Sequence, residues 1–241
     1  MRFSPRAATK MLAAAVLPLA LAACSAGSNG SNGSNGSGSG SSHAAKPKAP
    51  SAKLLTGTQL KKALAPASFF PAGLSLTSQS SVDTGTTYQS QDVKSLGKPD
   101  CTSLEGTAWI SMTNITGVSF AQNGYSAEHS EMDQEIDVFR GTTAATVMKR
   151  LRTIGAMCAT FNDVREHAAF KVSSRTITGL GDDAYAMTES SNVYENGATL
   201  IAVRKGTAVI TVLSNHDNGA VSGKKLAEHI LASLEQTMKT A

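Results

Sequence analysis

The sequence predicts an α+β domain in which an antiparallel sheet of about six or more strands carries two long helices packed on one face. Three observations predict it. Apolar runs of strand length recur from Leu74 onward and are separated by short turn-forming stretches. Short turns join antiparallel neighbours, whereas parallel strands need long crossovers. Only Thr142–Phe161 and Val221–Lys239 repeat apolar residues at three-to-four spacing over helical length. The foldable part, Leu54–Ala241, spans 188 residues, enough for one domain with its own core.

What precedes Leu54 has a different purpose. Arg2, Arg6 and Lys10 with no acid among them form a basic head, and Met11–Ala23 follows as thirteen residues, apolar apart from Pro18. A membrane-spanning helix needs roughly 20 apolar residues, so this run fits the core of an export signal. Residues 1–23 are therefore read as a signal peptide. Leu21-Ala22-Ala23-Cys24 resembles a lipobox, which makes Cys24 the lipid-attachment residue of the mature chain. Acyl chains on that sulfur, palmitate included, anchor a protein by about 0.8 kcal/mol per buried CH₂. Residues 24–53 then form a tether of Gly, Ser and Asn, with three Ser-Asn-Gly triplets in succession. Such a composition buries too little to offset its ordering entropy. At about 28 residues its root-mean-square reach is about 30 Å.

The elements of 54–241 follow in order. Thr58–Ala65 reads as a short helix stopped by Pro66; Leu74–Ser80, Val118–Asn123 and Ala127–Arg140 read as strands. In Thr142–Phe161 the residues Ala144, Val147, Leu151, Ile154 and Cys158 make one apolar stripe. Strands are expected at Phe170–Arg175, Ala184–Glu189, Thr199–Arg204 and Thr207–Leu213, the last two joined by a tight turn at Lys205-Gly206. The closing helix carries Leu226, Ile230, Leu234 and Met238 on its stripe.

Charge and cysteine count narrow the function. The chain has 22 basic and 18 acidic residues, but six basic residues lie before Leu54 and every acid lies at or beyond Asp83, so the domain itself carries −2. Nucleic-acid binding needs a basic face, so that class is disfavoured. Cys101 and Cys158 are an even pair in an exported chain and are read as a disulfide; with no C-x-x-C, a redox role is disfavoured.

The strongest candidate for chemistry is "EHSEMDQEID". His129, Glu131, Asp133, Glu135 and Asp137 occupy alternate positions, so a strand displays all five on one face. Neighbours two apart can share an ion, but the whole stripe cannot, since each step advances about 6.7 Å. The reading is a solvated face or the acidic wall of a groove. Ser214-Asn215-His216-Asp217-Asn218 holds triad residue types but as neighbours in a turn, and triads assemble from separate segments. Gly179-Leu180-Gly181-Asp182-Asp183 lacks the spacing and the lysine of a phosphate loop. No catalytic residue, metal ligand or cofactor is assigned.

The ordered set "LLTGTQLKKALAPASFFPAGL", "DVFRGTTAATVMKRLRTIGAMC", "ITGLGDDAYA" and "AVRKGTAVITV", behind a lipobox and tether, resembles the extracellular sensor domain of the mycobacterial PknH-type serine/threonine kinases. That module also occurs on free actinobacterial lipoproteins. The resemblance implies an α+β fold around a cleft that binds an unidentified ligand without catalysis. It departs in cysteine number, since the kinase module carries a second disulfide. The expected protein is a lipid-anchored lipoprotein on the extracytoplasmic face of the cell membrane, not an enzyme. Its expected partners are the membrane, through the anchor, and an unidentified small ligand or an envelope protein, with no nucleic acid. A protein-interaction module of the envelope and, behind it, a secreted hydrolase are the alternatives.

Overall fold

The structure is a computed structural model and describes residues 54–83, 95–105, 109–165, 167–192, 197–216 and 218–241. The signal, Cys24 and the tether lie outside these residues. Eight strands form one antiparallel sheet: β1 (Ser75–Asp83), β2 (Ser119–Ala127), β3 (Ser130–Val138), β4 (Thr160–Asp163), β5 (Ala168–Thr176), β6 (Asp183–Ser190), β7 (Ala198–Lys205) and β8 (Ala208–Ser214). Their spatial order is β1-β2-β3-β8-β7-β6-β5-β4. The helices are α1 (Gly57–Ala63), α2 (Trp109–Met112), α3 (Thr143–Met157) and α4 (Gly219–Thr240).

This order explains where the helices go. The chain builds β1-β2-β3, crosses to the far edge through α3, and returns as β4 to β8 until β8 pairs with β3, Ile136 opposite Ile210. Helix α3 lies over β5, β6 and β7, and α4 lies over β7 and β8. They do so from opposite sides. On β7, Ile201 and Val203 join Leu226, Ile230 and Leu234 of α4 in one half of the core. Leu200 and Ala202 join Val147, Leu151 and Ile154 of α3 in the other. The class and the antiparallel pairing are as expected, but the two long helices divide between the faces instead of sharing one. The physical reason is two-sided burial: β7 is buried at every position from Ala198 to Val203 and β8 along its whole length. Such strands need cover above and below.

Local signals set the ends of the elements. Thr56 and Gln59 form a reciprocal capping box at the start of α1, and the Asn218 side chain accepts from Val221 N at the start of α4. Buried Gln134 on β3 fixes the end of α1: Ala65 N donates to its Oε1 at 2.8 Å and its Nε2 donates to Ala65 O at 2.9 Å. The turn after β7 uses Gly206 at φ +57°. Helix α3 ends at Met157, short of the expected Phe161, because Phe161 belongs to β4 and stacks on Phe170 at 4.9 Å. The expected bridge is present: Cys101, in a short 3-10 turn, is bonded to Cys158 at the C-cap of α3, with Cα atoms 5.5 Å apart.

Candidate functional site

Two features stand out, one on each face. The first is a cleft of about 280 Å³ where the start of α4 meets the Phe69–Pro71 corner. Phe69, Pro71, Met132 and Val221 give it apolar walls, and His216, Asn218, Ser222 and Lys225 give it a polar rim. The corner is held by ring contacts, Phe70 stacked on Tyr125 at 3.8 Å and Phe69 against His229 at 4.6 Å. Burial raises the Tyr125 hydroxyl pKa, partly offset by a hydrogen bond with Asn123. Lys224 is paired with Glu228, while Lys225 makes no ion pair among the described residues. Apolar walls with a few polar groups at one end are the usual make-up of a small-molecule site. A further cavity of about 300 Å³ is bounded by Leu55, Val138, Thr207, Ala208 and Met238.

The second feature is the acidic stripe, and here the structure departs from the solvated face expected of it. His129 falls in the turn between β2 and β3 and is exposed, and Glu131 is half-buried. Asp133, Glu135 and Asp137 are buried, at 7%, 8% and 5% exposure. They lie on the α3 side of the sheet, whereas Met132, Ile136 and Val138 face the α4 side. The stripe is therefore no wall of the cleft. Gly124, opposite Asp133, makes room for it: a Cβ there would stand 2.4 Å from Asp133 Oδ1 and 2.5 Å from Ser78 Oγ. Gly117 does the same beside Asp137 Oδ1, at 3.2 Å. Burial pushes the Asp133 carboxyl up to about 8, and the neighbouring Glu131 and Glu135 charges add to it. Burial also raises Glu135, against an opposing hydrogen bond with Asp137, and raises Asp137 well above the carboxylate range, with Glu135 adding to the effect. Among the described residues no three His, Cys, Asp or Glu converge to hold a metal ion.

The other singled-out residues are structural. His216 turns its ring to Ser130 Oγ at 3.2 Å, while Ser214 Oγ shares a 2.7 Å hydrogen bond with Ser222 Oγ, so Ser214 and His216 form no nucleophile–base pair. Asp217 lies outside the described residues. The glycine loop before β6 is a clasp. Asp182 Oδ2 accepts from Gly206 N at 2.7 Å and from Arg204 Nη1 at 3.1 Å, and Asp183 accepts two bonds from Arg152. Trp109 is core, at 1% exposure.

With this geometry in place, a likeness to a solved structure becomes readable. The domain resembles the extracellular domain of PknH from Mycobacterium tuberculosis. The two superpose with a TM-score of 0.54 at 9% sequence identity, over 77% of this chain and 99% of that one. At such identity the likeness shows the fold: an α+β domain of the kind built outside the cell in that protein. The sequence matches no protein-family profile and no curated protein. The resemblance stated from the sequence motifs is thus carried by the structure, and the cleft was not visible in those motifs. Its lining comes from Phe69, Met132, His216 and Lys225, far apart in the chain and brought together where β3 pairs with β8 and Phe69 packs on His229 of α4.

Proposed function

We propose that this chain is a lipid-anchored extracytoplasmic lipoprotein whose domain binds a small ligand in the cleft at the start of α4, without turnover. The carrying observation is the cleft itself, with apolar Phe69, Pro71, Met132 and Val221 against polar His216, Asn218, Ser222 and Lys225. The lining suits a small amphipathic molecule with a polar end at Lys225 and His216. The resemblance to the extracellular domain of PknH supports a sensor-like role. Anchoring rests on the lipobox at Cys24. Among the described residues no helix is long and apolar enough to cross a membrane.

A thermal-shift screen of lipid and cell-wall fragments tests the reading. A ligand that prefers the folded state raises the melting temperature by mass action. The expected result is a saturable shift in the wild type that Val221→Trp, which fills the cleft from its exposed rim, abolishes. A hit that shifts both forms equally places binding elsewhere, and conversion of a hit to product moves the protein to the enzymes.

A further inference from the structure

The polar rim of the cleft at the start of α4 holds one charge still to be met. Of its four polar residues, three are engaged inside the fold. Ser222 Oγ donates to His216 O at 2.9 Å and lies 2.7 Å from Ser214 Oγ. His216 Nδ1 lies 3.2 Å from Ser130 Oγ, and Asn218 Oδ1 accepts from Val221 N. The fourth, Lys225, is exposed and makes no ion pair among the described residues. Among those residues no Asp or Glu lines the cleft. Two neighbouring acids are turned elsewhere. Glu228 is paired with Lys224, and Glu131, beside Met132 in β3, begins the acidic ladder on the other face, hydrogen-bonded with Asp133. The first turn of α4, which borders the cleft, carries no acid, and that end of a helix favours negative charge.

Walls and size restrict what can carry that negative charge. Met132, at 2% exposure, forms the floor, Phe69 and Pro71 are half-buried walls, and Val221 is exposed at the rim. At about 280 Å³ the cleft stands at the small end of ligand sites, which run from roughly 300 Å³ upward. It has room for one short alkyl tail and none for a two-tailed lipid.

Resting on the reading of the cleft as a ligand site, we propose that its ligand is a single-tailed carboxylate of the fatty-acid class. The tail lies on Met132 between Phe69 and Val221, and the carboxylate pairs with the Lys225 ammonium at the mouth. An ion pair so exposed contributes modestly. The tail therefore supplies most of the affinity, and Lys225 selects the sign of the head group.

The test is a titration of the full chain, methyl-13C-labelled at methionine and held in zwitterionic lipid nanodiscs, with octanoate, octanol and octylammonium. Empty nanodiscs correct the free concentrations, and the Met132 methyl reports from inside the cleft. Octanoate should shift that methyl saturably and leave Met187, buried in the other half of the core, unmoved. It should bind about threefold to fivefold tighter than octanol, as an exposed ion pair allows, with octylammonium weaker than both. Affinity should rise about fourfold per added CH₂ from hexanoate to octanoate. Lys225→Met, which keeps the stem and removes the charge, should bring octanoate down to the affinity of octanol and leave octanol unchanged; circular dichroism melting shows that it is folded. Equal affinity for the three head groups, preference for the ammonium, or undiminished octanoate binding by Lys225→Met overturns the carboxylate and leaves the cleft standing as a site. Failure of all three amphiphiles to move Met132 overturns both.

Discussion

Asp133 sits over Gly124 with its carboxyl raised to about 8, and this makes the domain's stability depend on pH. Below roughly pH 4 the carboxyl is protonated in both folded and unfolded chains. As pH rises, the unfolded chain gives up the proton first while the folded one keeps it. Stability from this group is therefore full at low pH, falls through the window up to about 8, and levels above it. Glu135 and Asp137, raised in the same direction, add to the slope. Melting temperatures across pH 4 to 9 should fall toward the alkaline end, and Asp133→Asn should flatten the profile and melt higher than the wild type at pH 8. A wild-type profile that rises over that range contradicts the burial of the ladder. A second residue-level case is Gly181, at φ +61°, where a Cβ would stand 2.6 Å from Arg204 O. Gly181→Ala strains both the backbone and the Asp182 clasp and should cost on the order of 1–3 kcal/mol in denaturant unfolding.

Between elements, the disulfide and the two-sided packing of the sheet set cohesion. The Cys101–Cys158 bridge closes a sequence separation of 57 residues and should contribute on the order of 4 kcal/mol by limiting the unfolded chain. Cys101→Ser/Cys158→Ser should lose about that much in urea unfolding, and unchanged stability would deny the bridge a structural role. Leu226→Ala opens a cavity between α4 and the sheet at a fully buried position, a loss of about 2–5 kcal/mol. Most strands were legible, because their apolar runs end at turn residues such as Lys205-Gly206. The hairpin at Glu128-His129 was not, since it carries neither Gly nor Pro and hides inside one continuous run. Strand β4 was missed because Phe161 continues the helical spacing of Ile154 and Cys158. The division of helices between faces was written in the unbroken apolar runs of β7 and β8, which alternation-based reading of a one-sided sheet passes over. The acidic ladder misled for the opposite reason. Its strict alternation signals a wet face, and its cover belongs to long-range packing that no local pattern carries.

At the scale of the whole molecule, the proposed membrane anchor rests on Cys24, ahead of the domain that begins at Leu54. Fatty-acid labelling should tag the chain, and Cys24→Ala should abolish the tag and release the protein from membranes; an untagged chain that stays membrane-bound contradicts the anchor. On the proposed function, the cleft at the start of α4 holds a ligand which the domain does not transform. Native mass spectrometry of the full chain, extracted from its own envelope in mild detergent, tests this. The wild type should carry one small-molecule adduct of defined mass, unchanged on incubation and absent from Val221→Trp. A chain with no adduct, or with the same adduct in both forms, contradicts it.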